Sequence, residues 1–292
     1  MHIIFLRIYS IISWRNFHEY AVSHTYHHRY TLYGDGDREV GLPIEILIKK
    51  PLYLLQILTI NFTGGPVTSG LIPVVKGTFE TAFGGNGESV ISEEWSAALY
   101  SSHPKEHKPA LRWALSIIAF HLVILILAIS SDLWMLPFVI SLQQFTANWP
   151  RYFVGLPIHC GPRSKVNDFR KCTRYITLNP ISEFLYWRMN WHFEHHMFAD
   201  VPCYKLEKLR ELEADYIPKV MTLIGAWREM MEVAQKQKVD PSFEFDTPVS
   251  SKKPQPSSPR ILSRINRRSC IAEPEVKVKT TSAFVFFILL RI

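Results

Sequence analysis

The chain has 292 residues, 12 histidines, four cysteines and a formal net charge of +7. Of its 33 Lys and Arg residues, 9 lie in residues 249–292 with only 2 of the 26 Asp and Glu, so the excess positive charge belongs to this tail and the rest of the chain is neutral. A basic face for nucleic acid is therefore not supported on the folded part, and the absence of C-x-x-C pairs argues against a disulfide framework or a cysteine-based zinc module.

The first distinctive pattern is a histidine triplet in the segment SHTYHHRYT, at His24, His27 and His28. On a helix, residues three and four positions apart share one face, so the triplet would present three imidazoles together. Imidazole is a common neutral ligand of zinc, copper, iron and nickel. The triplet therefore predicts metal binding.

An apolar segment at residues 51–61 (PLYLLQILTIN) follows the triplet and is too short to cross a bilayer. It begins at Pro51, directly after Lys49 and Lys50. Proline at a helix start with basic residues before it predicts an interfacial helix.

The longest apolar segment is residues 113–131, whose 19 residues carry no formal charge and suit a hydrocarbon core of roughly 30 Å. A second apolar segment, residues 133–149, follows Asp132 after a turn so short that it predicts a tight hairpin. The positive-inside rule places both ends of the hairpin in the cytosol, because both outer flanks are basic, at Lys105, Lys108, Arg112, Arg151, Arg163 and Lys165. A buried hairpin in a soluble all-helical protein is the alternative.

A second triplet with the same spacing follows the hairpin, at His192, His195 and His196 in NWHFEHHMF. Since both hairpin ends lie on one side, the two triplets can converge on one site. Six or more histidines are too many for one tetrahedral ion and indicate two metals. Glu194 is expected to face solvent or to support a ligand from behind, and the absence of H-E-x-x-H argues against a zinc hydrolase.

The C-terminal part predicts helices and then a tail. Leu206, Leu209 and Leu212 recur at helical spacing. From residue 241 the composition is that of a disordered, basic, Ser/Pro-rich tail, residues 241–292. The apolar run at residues 283–290 is too short to cross a bilayer as a helix, and no role follows from its composition.

Three segments resemble membrane fatty acid desaturases: SHTYHHRYTLYGDGDREV at 23–40, GLPIHCG at 155–161 and NPISEFLYWRMNWHFEHHMFADVPCYKLEKL at 179–209. The resemblance implies an all-α membrane protein with a transmembrane helical hairpin and a cytosolic helical cap that carries the histidine boxes. Residues 1–240 would form this domain.

The resemblance also implies two iron ions, held in that family by three histidine boxes and one additional histidine, with O2 as co-substrate. The two triplets match the second and third boxes, and His159 is the candidate for the additional ligand. The implied metal ligands are His24, His27, His28, His159, His192, His195 and His196. The other histidines do not match, and His121, inside the apolar span, is interpreted as structural.

The chain departs from the family at the first box, because no H-x-x-x-H precedes His24. We therefore expect most but not all of a di-iron centre, and an inactive truncated paralogue or a fragment is one alternative. His103-Pro104-Lys105 is not the H-P-G-G motif of relatives fused to cytochrome b5, and His192 is not replaced by Gln. The chain thus resembles the unfused class, which takes electrons from a separate donor such as cytochrome b5 or ferredoxin.

The implied activity is O2-dependent introduction of a double bond into an acyl chain carried by a lipid or CoA. The implied setting is an integral membrane protein with its boxes facing the cytosol, in the endoplasmic reticulum if the source is eukaryotic. Hydroxylation or ketolation of a lipid or carotenoid uses equivalent boxes and is the other alternative.

Overall fold

The structure is a computed structural model that describes residues 2–33, 36–37, 39, 46–65, 68–85, 93–146, 148–199, 201–212 and 216–249. Its helices are α1 (His2–Ile12), α2 (Phe17–Arg29), α3 (Pro51–Leu58), α4 (Leu71–Ala82), α5 (Glu93–Ser102), α6 (Pro104–Ser130), α7 (Met135–Ile140), α8 (Gln143–Thr146), α9 (Asn148–His159), α10 (Phe169–Cys172), α11 (Pro180–Leu185), α12 (His192–Met197), α13 (Leu206–Leu212) and α14 (Leu223–Lys236). Strands β1 (Ile176–Thr177) and β2 (Met221–Thr222) pair in parallel, and 3-10 helices cover Leu47–Lys49 and Cys203–Lys205. The described part of the chain is mostly helical, which agrees with the predicted all-α class.

The long apolar helix predicted from hydropathy is α6. It begins with Pro104 in its first turn and ends at Ser130, where Asp132 adopts a positive φ of 55° in the tight turn. By length and composition, α6 is the one helix in the described ranges that could cross a membrane, with a mean hydropathy of 2.5. Only 28% of its most apolar window is buried, whereas the core helix of a soluble protein would be mostly buried.

In the second half of the predicted hairpin, residues 133–149, helix α7 ends at Ile140 and a turn at residues 141–142 separates it from α8. This second half runs antiparallel to α6, with Ser141 opposite His121 at 2.8 Å between Oγ and Nδ1. This break occurs because the Ser141 carbonyl accepts a hydrogen bond from the Trp14 indole at 2.9 Å, while the Phe145 N–H bonds to Leu142 instead. Trp14 belongs to a distant segment of the chain, so hydropathy could not reveal the break. The Phe145 carbonyl accepts a hydrogen bond from the backbone N–H of Asn61.

The short helices that carry and surround the histidine triplets, called the cap below, hold one another in place. Helix α9 packs against α3 and α14, and α12 packs against α10 and α13. The strand pair, in the register Ile176↔Met221 and Thr177↔Thr222, joins the segment after α10 to the start of α14. The helix predicted from the leucine spacing is confirmed as α13, and α3 begins at Pro51 as expected.

Contacts with the cap continue past the predicted domain boundary at residue 241. The Phe245 N–H donates to the Gly161 carbonyl at 2.9 Å, the Glu244 carboxylate accepts from the Ser164 N–H at 2.9 Å, and Asp246 pairs with Lys171 at 2.8 Å. These contacts hold residues 244–246 against α10 and the loop that follows α9. Residues 250–292, including the apolar run at 283–290, lie outside the described residues.

Candidate metal centre

Three helices bring the predicted histidines together. Helix α2 carries the first triplet on one face, α12 begins with the second triplet, and α9 ends at His159. The ligand atoms form two groups, each lying within 4.8 Å, and together these groups contain all seven predicted histidines. The first group is His27, His159, His192 and His196, and the second is His24, His28 and His195.

The Nε2 atoms point toward one another inside these groups. In the group of four, His192 Nε2 lies 2.8 Å from His159 Nε2 and 2.9 Å from His196 Nε2. In the group of three, His24 Nε2 lies 3.0 Å from His28 Nε2. These distances leave no room for further side chains between the rings.

The Nδ1 atoms of four of these rings point outward to acceptors. The Asp37 carboxylate receives His27 Nδ1–H at 2.9 and 3.0 Å, and the Glu39 carboxylate receives His24 Nδ1–H at 3.0 Å. The Cys172 carbonyl lies 3.2 Å from His159 Nδ1, and the Thr31 hydroxyl lies 3.1 Å from His196 Nδ1. The rings held in this way are those of His24, His27, His159 and His196.

This outward hydrogen bonding fixes the tautomer. A ring that donates through Nδ1 presents an Nε2 lone pair, so His24, His27, His159 and His196 each direct a lone pair into the centre. This arrangement matches metal-binding histidines, which donate their other nitrogen to a carboxylate or carbonyl. The donor set therefore fits metal ions of the kind that imidazole binds.

Burial keeps the rings in the form that a metal requires. Burial, reinforced by the neighbouring His27, lowers the pKa of His159 to about 3. Burial and then the neighbouring imidazoles likewise lower the pKa well below the usual value at His28, His192, His195 and His196. Behind the rings, burial alone would raise the pKa of Asp37, but its interactions with His27 and with two backbone N–H groups outweigh burial and lower it.

An arginine fixes the end of α9 that presents His159. The Arg174 side chain, 2% exposed, donates to the carbonyls of Pro157, at 2.7 Å, and of Cys160. Its Nε donates to the Glu229 carboxylate on α14 at 2.7 Å. A cation is favourable at a helix C-terminus, where carbonyls lack helical partners.

Pro157 interrupts the hydrogen bonding of α9, and a tryptophan compensates for it. Proline has no N–H to donate to the carbonyl four residues earlier, at Phe153. The Trp227 indole from α14 donates to that carbonyl at 2.7 Å instead. Arg174 and Trp227 thus both stabilise the helix that carries His159.

Several of these supporting residues were not predicted from the sequence. Asp37 and Glu39 had a usable signal, because acidic residues close to a histidine triplet are natural partners for Nδ1. Thr31 and Arg174 had no such signal. The expectation that Glu194 faces solvent is wrong: it is 1% exposed, neither carboxylate oxygen accepts a hydrogen bond from the described residues, and burial raises its pKa to about 8.

The histidines outside the two groups have other roles. His121 bonds to the Ser141 hydroxyl and to the Ile11 carbonyl at 3.0 Å, and it stacks on Trp14 with ring centroids 4.0 Å apart. Its interpretation as structural agrees with these contacts. His18 pairs with Glu106 at 3.2 Å on the other side of α2.

The model of one protein family, described as Fatty acid desaturase, matches residues 1–226. Comparisons with curated proteins and with solved structures found no match. The family uses di-iron sites and is membrane-associated, which agrees with the histidine groups and with the apolar helix α6. Since the match covers most of the chain, the protein belongs to the fatty acid desaturase family.

Proposed function

We propose that this protein is a desaturase that introduces a double bond into an acyl chain carried by a lipid or CoA. The observation that carries the proposal is the convergence of seven imidazoles in a group of four and a group of three, in a chain of this family. The outward Nδ1 hydrogen bonds support it, because they prepare the rings for metal before any metal binds.

The two groups would each hold one iron, with all seven histidines as ligands. Bound iron would supply the activation of dioxygen that an unactivated C–H bond requires. The protein's own residues orient and enclose this site. Asp37 and Glu39 hold the rings of His27 and His24, and the burial of the rings excludes bulk water.

The reaction needs an outside source of electrons. An electron pair from the acyl chain and an electron pair from a separate donor, such as cytochrome b5 or ferredoxin, would reduce dioxygen to two water molecules. The two hydrogens that leave adjacent carbons and two protons from solvent complete these waters. The product is the alkene.

We also propose that α6 crosses the membrane and that the segment from α7 to α9 returns, so that the histidines face the cytosol. The basic residues Lys105, Lys108 and Arg112 near the start of α6 support this orientation, and the endoplasmic reticulum is the expected membrane if the source is eukaryotic. A glycosylation acceptor introduced at the Asp132 turn should be modified in microsomes, and one introduced beside Glu244 should not. The reverse pattern would contradict the orientation.

Expression of the full chain in a yeast host with its own electron donors tests the activity. We expect a new unsaturated fatty acid in the lipid profile from gas chromatography, together with iron in the purified protein. His192→Ala should abolish both, because His192 Nε2 contacts two other ligands of the group of four. His103→Ala is the matched control, since His103 lies outside both groups, and it should retain both.

Other outcomes separate the alternatives. Iron binding with a hydroxylated or ketolated product would favour a hydroxylase or ketolase of the same superfamily. Substoichiometric iron and an unchanged lipid profile would favour a non-catalytic paralogue or fragment. Zinc in place of iron with hydrolysis of an added ester would instead support a zinc hydrolase.

A further inference from the structure

Helices α3 and α4 form a hairpin that lies apart from the metal centre. Within the described residues 51–65 and 68–82, the two arms are tied by the Leu71 N–H to the Asn61 carbonyl at 2.8 Å and by the hydroxyls of Tyr53 and Thr68 at 3.0 Å. The Gln56 side chain accepts from the backbone N–H groups of residues 62 and 63 at 3.0 and 3.1 Å. These bonds satisfy the backbone N–H groups of residues 62, 63 and 71 without water, which lowers the cost of placing them in a bilayer.

The turn reaches the level of the apolar part of α6. The Asn61 N–H bonds to the Phe145 carbonyl at 2.9 Å, and Val74 packs with Phe145 and Ile117. Ile117 follows Arg112, the last charged residue before the apolar part of α6. At 1.5 Å per residue, Ile117 lies about 7.5 Å further along the helix axis than Arg112. The described residues of the hairpin turn therefore lie beside the apolar part of α6, further along its axis than Arg112.

The outer face of the hairpin is apolar and exposed. Leu52 is 70% exposed, Leu55 58% and Leu58 53%, and these positions lie three residues apart on one face of α3. The same surface includes Phe62 and Ile72 near the turn, at 44% and 59%. An apolar patch of this kind on a soluble surface would be unusual and marks an interaction site.

Charged residues occur only toward the other end of both arms. The exposed residues Lys49 and Lys50 directly precede α3, and on α4 the exposed Lys76 and Glu80 pair at 3.3 Å. An apolar turn with charged residues above it has the charge distribution of a segment that enters one leaflet. At 1.5 Å per residue, α3 is about 12 Å long, much shorter than a hydrocarbon core of about 30 Å.

We propose that α3, α4 and their turn form a re-entrant hairpin, which enters the leaflet on the side of the metal centre and leaves on the same side. Leu55, Leu58, Phe62 and Ile72 contact lipid acyl chains. Helix α4 packs against α6, which exposes apolar side chains of its own. The hairpin thereby fixes how deeply the cap sits in the membrane. The proposal does not depend on the reaction, since it uses only the apolar surface and its register on α6.

The test uses the full chain in phosphatidylcholine vesicles. Cys160, Cys172 and Cys203 are buried and can stay, so Cys270→Ser is the only cysteine replacement made before labelling. A single environment-sensitive fluorophore is attached at Leu58→Cys, at Ile72→Cys, or at Lys205→Cys as a control on the exposed surface of the cap. We expect blue-shifted emission at the first two positions, with several-fold stronger quenching by lipids brominated on their acyl chains than at the control position. Quenching by aqueous iodide should show the opposite order.

Two results would overturn the proposal. Iodide quenching at Leu58→Cys equal to that at Lys205→Cys would show that the turn lies in water. Blue-shifted emission without quenching by brominated lipid, and lost on dilution of the protein in the membrane, would show that a second copy of the chain covers this surface. Activity is not measured, so failure of the desaturase proposal is a separate outcome.

Discussion

Asp37→Asn tests whether the carboxylate behind His27 prepares the metal centre. Asp37 is 5% exposed, and its two oxygens each accept a backbone N–H, from Glu39 at 3.0 Å and from Leu32 at 2.8 Å, in addition to His27 Nδ1–H. Asparagine has one acceptor oxygen, so its NH2 group must face one of these N–H donors. The substitution thus removes the charge on the His27 bond and leaves a backbone donor without an acceptor.

The expected effect has two parts that separate measurements can resolve. An unsatisfied buried donor costs about 1 to 3 kcal/mol of stability. Loss of a carboxylate partner behind a metal-binding histidine lowers metal affinity by about 10- to 100-fold, which is about 1.4 to 2.8 kcal/mol of binding free energy.

Iron affinity is measured by competition with a chelator, and the free energy of unfolding is measured on the metal-free protein. Asp240→Asn, at an exposed carboxylate that bonds only to Ser242 among the described residues, is the matched control and should change neither quantity appreciably. Wild-type iron affinity in a folded Asp37→Asn protein would refute the reasoning, since the carboxylate would then have no part in holding His27.

Three further substitutions test the support of α9. Arg174→Gln should lower iron affinity several-fold and the free energy of unfolding by about 1.5 to 3 kcal/mol, because charged hydrogen bonds to the helix end are lost. Iron affinity equal to that of the wild type, measured by competition with a chelator, would contradict this. Trp227→Phe should destabilise the protein by about 1 kcal/mol or more in denaturant titrations, since the Phe153 carbonyl loses its donor. Gly161→Ala should destabilise it by about 1 to 3 kcal/mol, because Gly161 has a φ of +94° and a Cβ would lie 3.1 Å from Val233; an unchanged melting temperature would count against this.

The seven histidines could be predicted because their information is local. The spacing of each triplet places three rings on one helical face, and the segment around His159 carries a further part of the resemblance. The structure brings the same seven together, although their role as ligands stays a prediction. Asp37 and Glu39 were within reach of the same reasoning, since both follow the first triplet closely.

The divided return segment and the support of α9 could not be predicted, because they depend on contacts between distant residues. Hydropathy reports the apolar character of residues 133–149 but not that Trp14 takes the Ser141 carbonyl. In the same way, Pro157 predicts a missing hydrogen bond in α9, but nothing in its neighbourhood identifies Trp227 as the donor that replaces it.

Thr31 shows why the two triplets act as one unit. Its hydroxyl, 2% exposed, donates to the His27 carbonyl at 2.6 Å, so the oxygen must accept the hydrogen bond from His196 Nδ1. This places the proton of His196 on Nδ1 and directs the Nε2 lone pair toward His192. A residue that directly follows the helix of the first triplet thereby sets the tautomer of a ligand in the second. Metal binding by the group of four therefore requires α2 and α12 to be packed together, and each triplet alone would be an incomplete site.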